Sequence, residues 1–133
     1  MTETASVEIS ADVNSAYDTI SDHAVLGGIT PHIKSVKVKS RRPERYLAEE
    51  VLVLGGREYL CMVRHYCRPP HTHEYTVVGG DAKGSRITEM FESTAGGTRI
   101  TASIDWKTGL RGMLGHGSVR DDYAKLLCAA ALR

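Results

Sequence analysis

The sequence has almost no excess of charge of either sign. Its 17 lysine and arginine side chains stand against 16 acidic ones, so the net charge is +1 at neutral pH. A chain without a charge excess has no overall field that attracts nucleic acid, an anionic membrane surface or acidic substrates. The basic run of residues 37–42 is typical of a solvated strand face and its turn. We therefore expect no nucleic acid among the partners.

A long hydrophobic run is also missing. The longest one, LLCAAAL, is far shorter than the roughly 20 apolar residues that a transmembrane helix needs. The first residues, MTETASVEIS, lack the charged and apolar segments of a secretory signal. These absences predict a protein without integral membrane insertion.

Cysteine is scarce, and the three cysteines present cannot all pair with one another. If Cys61 and Cys67 lie on one strand, they are about 20 Å apart, well beyond the roughly 7 Å that a disulfide allows. Free thiols fit a reducing compartment. We therefore expect a cytoplasmic protein.

The sequence does contain enough apolar residues for one core. It has 133 residues, of which 41% are hydrophobic, and a chain of this size folds without disulfides. It has no internal repeat, low-complexity segment or linker. Residues 1–133 are therefore predicted to form a single domain.

Periodic patterns predict the order of strands and helices. VEIS alternates as a short strand, and Asp12 is placed to cap a helix that follows it. Turn clusters then separate six strand-like segments: IKSVKVKS, RYLAEEVLVL, REYLCMVRHYC, HTHEYTVV, SRITEMFES and TRITASIDWK. A final helix starts near Ser118 and carries one apolar stripe, formed by Val119, Tyr123, Leu126, Leu127 and Ala130. Six successive strands with short connections predict an antiparallel meander, and this helix is its obvious cover.

Short motifs at the strand ends resemble those of a known superfamily. GG precedes the fourth strand and RPP follows it, VVGG closes the fifth strand, and GTRIT opens the seventh. With the order β, α, six β, long α, the chain resembles the START-like helix-grip (SRPBCC) superfamily, in its polyketide cyclase/dehydratase and lipid-transport branch. The resemblance covers about residues 5 to 131. It implies an α+β fold in which a curved seven-stranded antiparallel sheet wraps around a long C-terminal helix, with a short helical segment after strand 1 and an internal cavity.

The resemblance also implies a class of function. Members include lipid carriers, hormone receptors, aromatase/cyclases and subunits of ring-hydroxylating oxygenases, and most share no invariant catalytic set. Their cavity holds an apolar or amphipathic ligand. This chain lacks the HxxH and iron-ligand spacing expected of the oxygenase subunits, so we expect no cofactor.

The hairpin around RPPH determines which side chains enter the interior. Two prolines cannot form a two-residue primed turn, so the loop is wider. With Pro69 and Pro70 at the loop centre, Tyr66 faces His73 and Arg64 faces Tyr75. Side chains of one parity then share a face, namely Leu60, Met62, Arg64, Tyr66, His73, Tyr75 and Val77. A bulge would invert this assignment.

The same parity argues against a metal site. His71 and His73 stand on one face, whereas His65 and Cys67 point to the other, so the four do not converge on one tetrahedral centre. We therefore expect no metal, and we expect strand histidines that are solvated or hydrogen-bonded.

The hairpin around TAGG is interpreted in the same way. It places Phe91 opposite Ile100, Glu89 opposite Ala102, Ile87 opposite Ile104, and Arg86 opposite Asp105 on the outer face. An inward row of apolar residues beside an outward pair of opposite charge is typical of a half-buried sheet. Phe91 and Trp106 are therefore predicted to face the interior.

Joining the two hairpins produces an inner row of Arg64, Tyr75 and Glu89. A charged pair on an apolar face must be mutually hydrogen-bonded, because an unpaired buried charge costs several kcal/mol. The row is therefore either a structural salt bridge or the polar anchor of a ligand in a cavity.

The function predicted from these patterns is the binding or transport of a small hydrophobic or lipid-like molecule. The predicted cavity residues are Arg64, Tyr66, His73, Tyr75, Glu89, Phe91, Trp106, Met62 and Met113. Met113 belongs to GLRGMLGHG, which lacks the GK[ST] of a phosphate loop and is interpreted as the entry to the long helix.

Two alternatives remain open. The first is a polyketide cyclase/dehydratase-like enzyme for an aromatic or polyketide substrate, with His73, Glu89, Arg64 and Tyr75 as its catalytic set. Histidine and glutamate exchange protons near neutral pH, and tyrosine or arginine stabilises an enolate. The second alternative is a ligand-responsive protein-interaction module that presents its glycine-rich loops to a partner.

Overall fold

One antiparallel sheet organises the fold. A computed structural model describes residues 2–107 and 118–132. The strands are β1 (Glu3–Ile9), β2 (Ile33–Arg42), β3 (Arg45–Leu54), β4 (Arg57–Arg68), β5 (Thr72–Gly80), β6 (Arg86–Thr94) and β7 (Gly97–Asp105). The helices are α1 (Val13–Ser21), α2 (His23–Leu26) and α3 (Val119–Cys128), with a 3-10 turn at Ala129–Leu132. The α+β helix-grip class predicted from the sequence is confirmed.

The strand order is β1-β7-β6-β5-β4-β3-β2, so β2 to β7 form the predicted meander and β1 adds to its far edge beside β7. All pairings are antiparallel. The core lies between the inner face of the sheet and the helices, because the buried residues of α1 and α3 belong to the same apolar cluster as the inner residues of the strands. Within the described residues, no helix is long and apolar enough to cross a membrane.

Side-chain caps begin both main helices where the sequence predicts. The Asp12 carboxylate accepts a hydrogen bond from the Ser15 amide at 2.9 Å, and the Ser118 hydroxyl accepts one from the Asp121 amide at 3.2 Å. Each cap satisfies an amide that has no partner inside the first turn. α3 then covers ten residues, and the preceding residues 108–117, which include Met113, lie outside the described part of the chain.

The apolar stripe of α3 faces the core. Tyr123, Leu126, Leu127 and Ala130 are buried, and Val119 is half-buried against them. The stripe is continuous because residues spaced three or four apart lie on one side of a helix. The predicted cover for the sheet is therefore confirmed.

The last hairpin also has the predicted register. Phe91 lies opposite Ile100 and Ile87 opposite Ile104, as well as Glu89 opposite Ala102 and Arg86 opposite Asp105. The ion pair of Arg86 is formed with Glu74 on the neighbouring strand at 3.2 Å. The register follows from the inward apolar side chains of both strands, since a slip of one residue would expose all of them.

The register predicted for the β4–β5 hairpin is wrong by one residue. Tyr66 lies opposite Glu74, and His65 lies opposite Tyr75. The reason is the loop, which has three residues, 69–71, and is therefore centred on Pro70. Because the side-chain period of a strand is two, this slip turns every β4 side chain to the face opposite to the predicted one.

Three predicted cavity residues consequently lie on the outer face. Arg64 is exposed, Tyr66 is 41% exposed and Met62 is half-buried, all on the side away from the core. The inward positions of β4 are Cys61, Val63 and His65, which are buried. The predicted inner row of Arg64, Tyr75 and Glu89 does not form.

Candidate functional site

A buried set of ionisable and hydroxyl side chains lies on the inner face of the sheet. We call it the inner polar cluster, and its members are His23, Glu50, His65, His73, Tyr75, Glu89 and Tyr123. The three histidines, the two glutamates and Tyr123 have 0% exposure, and Tyr75 has 1%. Polar groups so deeply buried are costly unless each is hydrogen-bonded, so their partners determine what the site does.

Four neighbouring strands, the short helix α2 and the C-terminal helix α3 position the cluster. Glu50 comes from β3, His65 from β4, His73 from β5 and Glu89 from β6, and His73 lies directly opposite Glu89 in the strand register. His23 is the first residue of α2, whose cap is the Asp22 carboxylate accepting from the Ala24 amide at 3.1 Å. These inward side chains meet because alternate residues of adjacent strands share one face.

Glu50 joins the first two histidines. Its Oε1 contacts His23 Nδ1 at 2.6 Å, and its Oε2 contacts His65 Nε2 at 2.6 Å. Burial acts to raise the pKa of Glu50, but the charges and hydrogen bonds of His23 and His65 outweigh it and hold that pKa well below its ordinary value. Glu50 is therefore a carboxylate that binds two imidazoles at once.

The network continues from His65 to α3. His65 Nδ1 lies 2.9 Å from His73 Nε2, and His73 Nδ1 contacts Glu89 Oε1. Glu89 Oε2 accepts a hydrogen bond from the Tyr123 hydroxyl, which in turn accepts one from Tyr75 at 2.9 Å. The result is an unbroken chain of contacts from His23 in α2 to Tyr123 in α3 and Tyr75 in β5.

The two histidines that contact Glu50 have pKa values shifted in opposite directions. Burial lowers the pKa of His65 to about 3, against the attraction of Glu50 and with further lowering by the charge of His23. For His23, burial also lowers the pKa, but the attraction and hydrogen bond of Glu50 outweigh it, so that the net shift is upward. His65 is therefore the neutral imidazole at neutral pH, and His23 forms the ion pair with Glu50.

Aromatic rings hold the histidines in place. Tyr46 stacks on His65 with ring centroids 4.0 Å apart, and its hydroxyl donates to the Ser21 carbonyl at 2.7 Å. The Tyr75 ring contacts all three histidines, at centroid distances of 4.9, 5.0 and 5.4 Å. Burial raises the pKa of Tyr75 and of Tyr123 well above the ordinary value, so both remain neutral hydrogen-bond donors.

The structure brings four of the predicted cavity residues to the interior. His73, Tyr75 and Glu89 belong to the inner polar cluster, and Phe91 is buried beside it, edge-on to Tyr17 at 5.0 Å. Trp106 is half-buried and lies edge-on to Tyr59 at 5.3 Å. The ligand-binding role of these residues stays a prediction.

Arg64 and Tyr66 instead line an open groove on the outer face, with a volume of about 990 Å³. Five arginines line it, namely Arg42, Arg45, Arg64, Arg68 and Arg86. Glu44 and Glu74 are its acidic residues. This face is basic even though the chain as a whole is nearly neutral.

Sequence reasoning missed His23, Glu50 and His65, and it assigned Tyr123 only to the apolar stripe of the last helix. For His65 a signal was present, since the odd positions of β4 carry one charged residue, Arg57 at the strand start, whereas the even positions carry Glu58, Arg64 and Arg68. The face with fewer charged residues is the better candidate for burial. For Glu50 both faces of β3 are largely apolar, and His23 follows no periodic pattern, so neither was predictable in this way.

The parity argument against a metal site is also wrong. His65 points inward on the same face as His73, because of the register slip at β4, and His23 approaches both from α2. One ring nitrogen from each of the three lies within 4.8 Å of the others. The exposed His71 takes no part.

Comparison with known proteins identifies the fold. No protein-family model and no curated protein matches the sequence. The protein TTHA0849 from Thermus thermophilus superposes with a TM-score of 0.83 at 16% identity, over 99% of this chain and 95% of that one. A START superfamily protein from Mycobacterium smegmatis gives 0.68 at 14% identity, over 98% and 92%. The Zhui aromatase/cyclase from Streptomyces sp. R1128 gives 0.67 at 12% identity, over 99% and 84%.

These similarities extend over nearly the whole of this chain. The chain has the START-like helix-grip fold.

Proposed function

We propose that the protein binds a small hydrophobic molecule carrying a polar group, in an internal cavity between the sheet and α3. The observation that carries the proposal is the inner polar cluster, a few convergent polar groups enclosed by apolar and aromatic side chains. Ligand sites for small molecules have this composition, since the apolar wall supplies affinity and the polar groups determine orientation. A START superfamily protein and an aromatase/cyclase among the structural neighbours support the same class of function.

The end of the cluster beneath α3 is the proposed anchor. Glu89 accepts from Tyr123, and Tyr123 accepts from Tyr75. A ligand hydroxyl donates to the Glu89 carboxylate in place of Tyr123, or a ligand carbonyl accepts from Tyr75. Phe91 and Trp106 form part of the apolar wall in this proposal.

The direct test is mass spectrometry of the gently purified protein, in search of a co-purifying lipid or aromatic compound. A bound apolar molecule with at least one hydroxyl or carbonyl group is expected. Material that is free of any such compound, and that also fails to bind added hydroxylated aromatics, contradicts the proposal.

A binding experiment with matched variants tests the anchor. Naphthol, an apolar bicycle with one hydroxyl, serves as the fluorescent probe. Glu89→Gln should weaken its binding by about 1.5 to 3 kcal/mol, the range for a hydrogen bond to a charged group. Glu92→Gln, on the exposed face of the same strand, is the control and should bind as the parent does.

Arg64→Leu tests the corrected orientation in the same assay. Because Arg64 lies on the outer face, its removal should leave naphthol affinity unchanged. Weaker binding in Arg64→Leu, or equal binding in Glu89→Gln and Glu92→Gln, would place the site away from the inner polar cluster.

Catalysis is the second candidate, and the contact between His73 and Glu89 favours it. A carboxylate that holds an imidazole is the usual arrangement of a general base, and the nearby tyrosine hydroxyls are donors for an enolate. The substrate class is an aromatic or polyketide chain that cyclises or dehydrates. In a cyclisation assay on a poly-β-carbonyl thioester, His73→Phe should bind the substrate but lose turnover, whereas His71→Phe should retain both.

A further inference from the structure

We propose that His23, His65 and His73 form a binding site for a divalent transition-metal ion such as Zn²⁺. One ring nitrogen from each histidine lies within 4.8 Å of the others, and all three side chains are fully buried. Imidazole nitrogen is a preferred ligand of Zn²⁺ and of other late first-row ions. The site goes beyond the proposed binding function and revises the sequence-based expectation that the chain holds no metal.

Each of the three histidines is held by a carboxylate through one ring nitrogen. His23 Nδ1 and His65 Nε2 contact the two oxygens of Glu50, and His73 Nδ1 contacts Glu89. Histidines that bind metals almost always donate their other N–H to a carboxylate, a carbonyl or water, which orients the ring and raises its basicity. A complete set of such contacts at three buried histidines is the arrangement that a metal centre requires.

The ring nitrogens that do not contact a carboxylate are His23 Nε2, His65 Nδ1 and His73 Nε2. In the metal-bound form each histidine donates one proton to its carboxylate, and these three nitrogens offer their lone pairs to the cation. Two of these nitrogens, His65 Nδ1 and His73 Nε2, are already 2.9 Å apart. His23 Nε2 is buried without a hydrogen-bond partner among the described residues. A cation accepts all three lone pairs.

Charge balance also favours a cation at this site. Two acidic side chains, Glu50 and Glu89, lie inside a region with 0% exposure. An uncompensated buried charge is strongly unfavourable. A divalent cation bound to the three histidines balances the two carboxylates.

The geometry needs only small movements. Tetrahedral coordination at Zn–N distances of about 2.0–2.1 Å separates the ligand nitrogens by about 3.3 Å. The contact between His65 and His73 therefore widens from 2.9 Å, and His23 moves with α2, a helix of four residues. Three protein ligands leave the fourth position for water or for an oxygen of a bound molecule.

The test is metal titration of the full-length protein after treatment with a chelator. Zn²⁺ competed against a chromophoric chelator should bind with a stoichiometry of one. His65→Ala and His73→Ala should weaken it by at least about 100-fold, and Glu89→Gln by roughly 10- to 100-fold, as expected for a residue that orients a ligand. His71→Ala, which changes an exposed histidine two residues from His73, should bind as the parent does.

X-ray absorption at the zinc edge of the parent protein needs no variant and covers the case in which a histidine variant fails to fold. Three imidazole nitrogens at about 2.0–2.1 Å are expected. A shell with thiolate, as from the exposed Cys128, or with oxygen alone overturns the proposal. Failure to bind one equivalent of Zn²⁺, or equal binding in His65→Ala, His73→Ala and His71→Ala, overturns it as well.

Discussion

At the scale of single residues, Glu50 connects a helix to a strand in the interior. Its two oxygens hold His23 from a helix and His65 from a strand, both at 2.6 Å and with no exposure to solvent. Replacing two buried, paired charges together is often tolerated, but removing one partner leaves the other uncompensated. The stability of this region therefore depends on the carboxylate.

Glu50→Gln should lower the free energy of unfolding by about 3 to 5 kcal/mol, the range for breaking a buried ion pair from one side. Glu49→Gln, the next residue on the opposite face of β3, should change it by less than about 0.5 kcal/mol. Urea unfolding followed by circular dichroism measures both. Equal stability of the two variants would mean that the His23 and His65 contacts contribute little.

The cysteines differ in reactivity for reasons of burial. Burial, helped by the charges of Glu50 and Asp81, raises the pKa of Cys61 to about 12, and its thiol donates to the Asp81 carbonyl at 3.2 Å. Cys128 is exposed. Since the thiolate is the reactive form, a disulfide reagent should modify Cys128 rapidly in the native protein and Cys61 only on unfolding. In a Cys128→Ser variant, rapid modification of Cys61 in the native protein would contradict this expectation.

At the scale of elements, α3 is predicted to hold the sheet closed through its buried stripe. Leu126 is 1% exposed within the apolar core, whereas Lys125 beside it is exposed. Leu126→Asp should abolish folding, because it buries an unpaired charge. Lys125→Ala should have little effect. Circular dichroism that finds Leu126→Asp as stable as the parent would show that α3 is not part of the core.

The turn between β6 and β7 provides a second test at this scale. A Cβ at Gly97, where φ is +150°, would lie 2.0 Å from the Ile9 carbonyl oxygen, whereas a Cβ at Gly96 meets nothing within 4 Å. Gly97→Ala should therefore push β1 away from β7 and destabilise the fold by more than about 1 kcal/mol. Gly96→Ala should be near neutral. Thermal unfolding compares them, and equal melting temperatures would argue against the close approach of β1.

At the scale of the whole molecule, the net charge is nearly neutral although one face is basic. The arginine-lined groove on the outer side of the sheet contrasts with the net charge of +1. Local potential, not total charge, determines how a protein interacts with a polyanion, and salt screens it. On a sulfated resin at low salt, Arg64→Glu should elute earlier than Arg99→Glu, which makes the same charge change outside the groove. Identical elution of the two variants would mean that the groove has no local field.

The sequence was enough to predict the order of the strands, the two helix caps, the apolar stripe on α3 and the β6–β7 register. Each depends on local spacing, namely the periods of 2 and 3.6 and a capping side chain three residues from its amide. The inward positions of Tyr75, Glu89 and Phe91 followed from the same rules. For these features, residues close together in the chain contain the information that the prediction needs.

Tertiary structure alone decided the composition of the inner polar cluster. The three-residue loop after β4 shifted the register by one, which exchanged Arg64 for His65 at the inner face. His23 and Glu50 meet across 27 positions of the chain, and no periodic pattern relates a helix start to a strand two elements later. Local spacing determines the elements, whereas contacts between distant segments, which depend on loop geometry and packing, determine which side chains share the interior.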